Sequence, residues 1–174
     1  MKLLKMLLYC IVLIKIRGMY MLTVLFLCTG NTCRSPMAQM ILQHKVQEAG
    51  LEDKINVISA GMGTFVGLPL SLDAKRALQR LEYPVQEHSS QPLTQELAEK
   101  ADLILTMTRN HWYLALRTFP FVEDKIYTLA EFCGEDADVS DPFGLGESAY
   151  FWCASQLTEM LDKAFIKIKQ EVEG

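Results

Sequence analysis

The chain has 174 residues, of which 50% are hydrophobic and 22% charged, a composition typical of a globular protein with one sizeable core. Its formal net charge of -4, without a basic stripe, argues against general electrostatic binding of nucleic acid. The five cysteines suggest no secretory disulfide framework, so we expect a single domain in a reducing, cytoplasmic compartment.

Residues 1–20 are basic and apolar and resemble a targeting segment only superficially. The uncharged core, residues 6–14, is too short to span a bilayer. Residues 15–17 are Lys, Ile and Arg, where a signal peptide would have small residues at its cleavage site. We expect an N-terminal extension. It is either an over-called reading frame, with the real start at Met19 or Met21, or a helix lying on a membrane surface, and we prefer the first, without membrane association. Residues 21–174 then form one domain.

Two elements frame the most informative stretch of the chain. Residues 23–27 form an apolar, β-rich run without alternation, which predicts a strand buried on both faces of a parallel sheet. Residues 37–49 place apolar side chains on one helical face, and Gly50 is a suitable helix stop. The loop between them reads Cys28, Thr29, Gly30, Asn31, Thr32, Cys33, Arg34, Ser35 and Pro36.

This loop combines a thiol, Cys28, with a bidentate anion clamp, Arg34. The small and polar residues between them would let backbone N–H groups turn inward around an oxyanion. Ser35 is predicted to cap the following helix and Pro36 to begin it, and a helix N-terminus favours negative charge. The same features would favour the thiolate form of Cys28. The sequence therefore predicts a phosphate-binding loop built around a nucleophile.

Two other uses of the loop fit the sequence less well. Cys28 and Cys33 could be half of a metal site, but the three histidines are scattered and no second ligand pair has suitable spacing. A nucleoside-triphosphate loop would continue with Gly-Lys-Ser or Gly-Lys-Thr, which does not follow Gly30. We therefore expect neither a metal nor a cofactor.

The remainder of the chain alternates between strands and helices. Further strands are predicted at residues 55–58, 102–107 and 125–129. Helices are predicted at residues 71–81, 94–101, 110–116 and 148–172, with a glycine-rich loop beginning at Ser59. This alternation predicts an α/β fold, a parallel sheet with helices on both faces, whose functional residues lie at the carboxyl ends of the strands.

A carboxylate near the end of the chain completes the candidate chemistry. Asp141 precedes Pro142 in a glycine-rich loop that could fold over the phosphate-binding loop. An Asp-Pro pair alone is usually only a turn. With a thiol and a guanidinium upstream, we predict that Asp141 acts as general acid and then base, with Asp136 and Asp138 as nearby competitors.

The Cys28, Arg34 and Ser35 motif, followed by Asp-Pro-Phe-Gly at residues 141–144, resembles the low-molecular-weight protein tyrosine phosphatases. The resemblance extends from about residue 21 to the C-terminus. It implies a four-stranded parallel sheet in the order 2-1-3-4 and phosphorylated proteins as substrates, dephosphorylated through a cysteinyl-phosphate intermediate. The loop is similar to that of the bacterial branch acting on protein arginine, since the tyrosine branches usually have an aliphatic residue in place of Thr32.

The resemblance also implies a supporting network, in which Ser59 and His88 join Asn31 and Ser35. His88 could equally be a surface histidine. Cys33 could form a reversible disulfide with the nucleophile or simply pack in the core. The other cysteines are expected to be structural or incidental: Cys10, Cys133 and Cys153.

The sequence favours phosphoarginine over phosphotyrosine as substrate. Phe65 and Phe143 could form pocket walls for either, and the carboxylate of Asp141 could bind a planar guanidinium directly. The hydroxyl of Thr32 could orient water or select the more polar substrate. Gly144 stands where the tyrosine enzymes often have a second aromatic residue, which weakens that alternative.

Two more distant alternatives differ in reaction class. An arsenate reductase of similar fold typically has Gln where this chain has Pro36 and needs two close redox cysteines, whereas Cys133 and Cys153 are far apart. A non-catalytic phosphopeptide-binding module is disfavoured because Cys28 and Asp141 are both present. The sequence gives no indication of oligomeric state.

Overall fold

The computed structural model describes residues 20–174. Cys10 and the extension predicted over residues 1–20 lie outside the described residues, except for Tyr20. Four strands form one parallel sheet in the order β2-β1-β3-β4, as predicted. They are β1 (Leu22–Cys28), β2 (Ile55–Gly61), β3 (Leu103–Thr106) and β4 (Ile126–Thr128).

Helices cover both faces of this sheet, which confirms the predicted fold class. They are α1 (Arg34–Glu48), α2 (Leu72–Arg80), α3 (Gln95–Lys100), α4 (Arg109–Thr118), α5 (Leu129–Cys133) and α6 (Glu147–Glu173), with a 3-10 turn at Pro120–Lys125. The helix α5 and the 3-10 turn were not predicted, because five or six residues show little helical periodicity and no capping residue was recognised before them, unlike Thr94 before α3. Within residues 20–174, no helix combines the length and apolarity needed to span a bilayer.

The strand β1 divides the core into two layers. Val24 and Phe26 pack with α1, α2, α5 and α6, whereas Leu25 and Leu27 pack with α3 and α4. All four side chains are fully buried. Because successive side chains of a strand point to opposite faces, a continuous apolar run is what a central parallel strand requires.

The strand β2 is longer than predicted. The loop was expected to begin at Ser59, but Ser59, Ala60 and Gly61 continue the strand and pair with the last three residues of β1. Small residues such as these usually indicate a turn, yet all three are buried here. Their place beside β1 brings the end of β2 directly against the phosphate-binding loop.

Candidate active site

The predicted phosphate-binding loop leaves the carboxyl end of β1, where the strand order changes direction between β2 and β3. It enters α1 at Arg34, with Cys33 in the capping position. The prediction that Ser35 caps this helix is wrong, because its hydroxyl lies within the loop instead. Pro36 is the third helical residue, and it is tolerated there because N–H groups of a first helical turn have no partner within the helix.

The thiol of Cys28 lies on the floor of the loop and is 3% exposed. Its sulfur is 2.9 Å from the hydroxyl oxygen of Ser35 and accepts a 3.3 Å hydrogen bond from the Asn31 amide. Asn31 Nδ2 donates to Ser35 Oγ at 3.0 Å, which leaves the Ser35 proton free for the sulfur. A competing acceptor, the carbonyl of Ala60, is farther away at 3.4 Å. The site therefore holds two donors that can stabilise a negatively charged sulfur.

Several backbone amides around the thiol have no hydrogen-bond acceptor among residues 20–174. Among the described residues, Gly30, Thr32 and Cys33 donate to no protein acceptor through their backbone N–H groups. The N–H groups of Arg34 and Ser35 lie in the first turn of α1 and have no intrahelical partner. Such a cluster, with the positive end of a helix dipole, is suited to bind a tetrahedral oxyanion.

Asn31 fixes the shape of the loop from within. It is fully buried and adopts a left-handed conformation with φ of 52°. Its side-chain nitrogen also donates to Ser59 Oγ at 2.9 Å, while its side-chain oxygen accepts from the backbone N–H of Gln91 at 2.9 Å. The ring of His88 contacts the Asn31 carbonyl at 2.6 Å through Nε2. The structure thus brings together all four residues of the predicted supporting network.

Two members of this network were missed. Ser59 Oγ donates to Gln39 Oε1 at 2.7 Å, and Gln91 donates from its side chain to the Ser59 carbonyl at 3.0 Å. Glutamines on a helix and in a loop carry no local signal for such a role, since only the fold brings them to the end of β2.

Gly61 allows β2 and the loop to approach closely. A Cβ atom at this position would lie 2.7 Å from the Thr29 carbonyl oxygen and 3.1 Å from Asn31 Cβ. Real side chains do not come this close to backbone, so only glycine fits without moving the loop. The loop also accepts backbone hydrogen bonds from Met62 and Gly63, at Cys28 O and Thr29 O.

The side chains of Arg34 and Asp141 meet in the same cleft that Cys28 lines. Their closest nitrogen and oxygen atoms are 2.7 Å apart, and the arginine is 6% exposed whereas the aspartate is 54% exposed. The second oxygen of Asp141 accepts from the Phe143 amide at 3.2 Å. Asp138 instead accepts from the Arg109 amide at 3.0 Å, so Asp141 is the nearby aspartate that faces the loop.

These groups surround a cleft of about 250 Å³, which is lined by Cys28, Thr29, Gly30, Thr32, Cys33, Arg34, Asp141 and Phe143. Phe143 is 77% exposed and forms an open wall. Phe65, the other predicted wall, is highly exposed and does not line this cleft. Within residues 20–174, no group of three or more His, Cys, Asp or Glu side chains is arranged to hold a metal ion.

Cys33, in the second half of the loop, lies among hydroxyl groups. Its sulfur is 3.2 Å from the hydroxyl of Tyr150 on α6 and 3.4 Å from that of Ser71, which caps α2. Burial and the contact with Cys33 raise the pKa of Tyr150 to about 12, so this phenol stays protonated. Tyr150 was predicted only as part of an apolar helix.

Burial also raises the pKa of Cys133 to about 11 and that of Cys153 to about 12. Cys133 donates to the Met160 carbonyl at 3.0 Å. Both thiols therefore remain protonated near neutral pH and contribute to the core, in keeping with the structural role expected for them.

In the sequence His111 is one of three scattered histidines without a predicted role, yet in the structure its side chain contacts the phosphate-binding loop. Its Nε2 is 2.9 Å from the hydroxyl of Thr29, and its Nδ1 is 2.8 Å from the hydroxyl of Thr108. The residue is 4% exposed. Burial, followed by the nearby charge of Arg34, lowers its pKa from 6.5 to about 4. The imidazole is therefore neutral near pH 7.

A buried thiol within an anion-binding loop, opposed by an arginine and an aspartate at the edge of a parallel α/β sheet, defines a cysteine-dependent phosphatase. Residues 23–174 match the family model described as low molecular weight phosphotyrosine protein phosphatase. The chain belongs to this family.

Relatives include proteins with two kinds of named substrate. A Bacillus subtilis protein named protein-arginine-phosphatase is 37% identical over 85% of this chain and 97% of its own length. One of the same name from Geobacillus stearothermophilus is 38% identical over the same shares. The low molecular weight protein-tyrosine phosphatase A of Mycobacterium bovis is also 38% identical, but over 70% of this chain and 76% of its own.

Solved structures agree with this assignment. The YwlE arginine phosphatase from Geobacillus stearothermophilus has a TM-score of 0.79 and 36% identity, covering 86% of this chain and 94% of that one. A YwlE mutant with a phosphorylated active-site serine has a TM-score of 0.80 and 36% identity, covering 85% of this chain and 96% of that one.

Proposed function

We propose that the protein is a phosphoprotein phosphatase that uses Cys28 as nucleophile and prefers protein phosphoarginine. The Cys28 sulfur attacks phosphorus in line, and the bond from phosphorus to the guanidinium nitrogen breaks as that nitrogen takes a proton from Asp141. Water then attacks the cysteinyl phosphate, the bond from phosphorus to sulfur breaks, and Asp141 recovers a proton from the water.

The loop supplies what this transfer needs. The fork of Arg34 and five backbone amides would bind the equatorial phosphoryl oxygens, whose charge persists through the transition state. These amides belong to Gly30, Thr32, Cys33, Arg34 and Ser35. The Ser35 hydroxyl, 2.9 Å from the sulfur, would stabilise the thiolate as it leaves in the second step. Backbone dipoles and Arg34 would thereby supply the charge stabilisation of this reaction.

The proposed general acid for the leaving group is Asp141. One of its oxygens lies 2.7 Å from the Arg34 clamp, so a leaving atom on a phosphoryl group held by Arg34 falls within its reach. Its 54% exposure gives it access to solvent water for the second step. A general acid and base in this position contributes about 10² to 10⁴ in rate.

Thr32 carries the preference for phosphoarginine. Thr32 lines the cleft, and its hydroxyl is 3.6 Å from the Cys33 sulfur. The cleft therefore has a polar group at the position where the tyrosine enzymes usually have an aliphatic side chain. A hydroxyl suits a donor-rich guanidinium better than a phenyl ring. Relatives named protein-arginine-phosphatase, similar over 85% of this chain, support this choice.

Phosphotyrosine is the second candidate because Phe143 provides an exposed aromatic wall at the cleft. The 38% identity to the mycobacterial tyrosine phosphatase also favours it. In either case the substrates are phosphorylated proteins. The four described cysteines are all free thiols, which supports a reducing, cytoplasmic setting.

The test is phosphate release by the purified full chain from matched phosphoarginine and phosphotyrosine peptides. Cys28→Ser serves as the blank, and Thr32→Ile is compared with Thr118→Ile, the same change at an exposed helix end. We expect a preference for phosphoarginine that Thr32→Ile reverses and Thr118→Ile preserves. Strong phosphotyrosine turnover that is indifferent to Thr32 would refute the arginine preference.

A further inference from the structure

A chain of hydrogen bonds runs from the start of α4 to the mouth of the cleft. Thr108 caps α4 by accepting a 3.3 Å hydrogen bond from the His111 amide. Its hydroxyl also meets His111 Nδ1 at 2.8 Å, and His111 Nε2 meets the Thr29 hydroxyl at 2.9 Å. Thr29, at the exposed end of this series of hydrogen bonds, lines the cleft.

The direction of these hydrogen bonds follows from counting protons. Within residues 20–174, the Thr108 hydroxyl has one acceptor for its proton, His111 Nδ1. Nδ1 is then unprotonated, so the single ring proton lies on Nε2 and is donated to the Thr29 oxygen. The opposite tautomer would leave the Thr108 proton without a protein acceptor. Because Thr29 accepts from His111, its own proton is free to point into the cleft.

We propose that His111 is a positioning residue, which turns the Thr29 hydroxyl so that it donates a hydrogen bond to a phosphoryl oxygen in the cleft. This inference rests on the proposed phosphatase function. It adds a side-chain donor to the backbone amides of the loop, and it places the residue that aims this donor on a different element, α4.

The surroundings of the imidazole favour its neutral form. Burial and the positive charge of Arg34, on α1, disfavour the protonated ring. Asp138 and Asp141, in the loop before α6, favour it, but their effect is the smaller one. A neutral ring can accept from Thr108 and donate to Thr29 at once, whereas a doubly protonated ring could only donate. His111 can therefore orient the Thr29 hydroxyl in this way only while its imidazole is neutral.

The experiment compares His111→Phe, Thr29→Val and the double variant in the full chain. His111→Phe keeps a ring but removes the donor, and Thr29→Val keeps the shape but removes the hydroxyl. We expect each single variant to lower kcat/KM for the phosphoarginine peptide about tenfold, the loss typical of one hydrogen bond. We expect the double variant to lose no more than either single one, because both changes remove the same donor.

Two further variants separate positioning from folding. His111→Gln can still donate from a side-chain nitrogen near the position of Nε2, so it is expected to recover most of the activity lost in His111→Phe. Tyr113→Phe, an exposed change on the same helix, is expected to leave activity unchanged. Additive losses in the double variant, or full activity in Thr29→Val, would overturn the proposal.

Binding of inorganic phosphate, measured by calorimetry, keeps this test independent of turnover. We expect His111→Phe and Thr29→Val to weaken phosphate binding by a similar factor, about tenfold. If the wild-type protein binds phosphate with this dependence but dephosphorylates no peptide, the proposed function fails and the role of His111 stands. Unchanged phosphate binding in both variants would contradict the role of His111, whatever the turnover.

Discussion

Asn31 offers the sharpest test of how the loop keeps its shape, through the change Asn31→Ala. The substitution removes donors to Ser35 and Ser59 and leaves the Gln91 amide without its acceptor. The two serine hydroxyls can rotate toward other partners, but the partly buried backbone amide of Gln91 cannot. Asn31 therefore contributes to the stability of the fold as well as to the geometry of the site.

The expected cost can be assembled from these contacts. The orphaned amide costs roughly 1 to 3 kcal/mol, and the two lost hydrogen bonds cost about 1 kcal/mol each. Alanine in the left-handed conformation adds about 1 kcal/mol of strain, since the φ here is 52°. We expect Asn31→Ala to lower the free energy of unfolding by about 4 to 6 kcal/mol.

Urea unfolding and phosphate release measure the two consequences. Asn31→Gly removes the same contacts without the strain, so it is expected to be about 1 kcal/mol more stable than Asn31→Ala and just as impaired in kcat. Asn56→Ala is the control, since within residues 20–174 the Asn56 side chain makes one hydrogen bond, at 3.5 Å to the Thr23 hydroxyl. A loss below about 1 kcal/mol in Asn31→Ala, with kcat intact, would refute the argument.

Three further predictions concern charge and protons. Arg34→Lys keeps the charge but not the fork, so kcat/KM is expected to fall about 10²-fold or more in steady-state assays, and a smaller loss would count against bidentate binding. Asp141→Asn should lower kcat about 10² to 10⁴-fold, whereas retained turnover would remove Asp141 as general acid. The pKa of His111 is about 4 in the folded protein and 6.5 in the unfolded chain. As the pH falls below 6.5, His111 is therefore protonated in the unfolded chain while it stays neutral in the folded protein. Stability should therefore decrease by roughly 2 kcal/mol between pH 7 and pH 5, and His111→Gln should flatten this part of the curve in urea titrations.

The fold was predictable because its signals are local. The apolar run of β1, the helical periodicity of α1 and α6, and the alternation between them require only neighbouring residues to be compared. The ends of elements were less predictable, since Ser59 and Gly61 have the composition of a turn but are held in β2 by pairing with β1. The hydroxyl of Ser35 suited a helix cap, but contacts from Cys28 and Asn31 recruit it instead.

The candidate site was predictable where its residues are close in sequence. Cys28 and Arg34 lie on one loop, and Asp141 belongs to a short motif that can be recognised. His111, Gln91 and the hydroxyl of Tyr150 could not be found in this way, because each reaches the loop only through the packing of a distant segment. Their residue types are common on ordinary helices and loops, so no local pattern distinguishes them.

Gly61 has a consequence for how substitution data on this protein should be interpreted. In a survey of all single substitutions scored by phosphate release, this position would be as intolerant as those of the reacting groups, although glycine has no side chain to react. The cause would be the 2.7 Å clearance to the Thr29 carbonyl rather than any role in catalysis. Sensitivity to substitution at Gly61 would therefore report the spacing between two backbone segments. Only the structure distinguishes this steric effect from a direct role in catalysis.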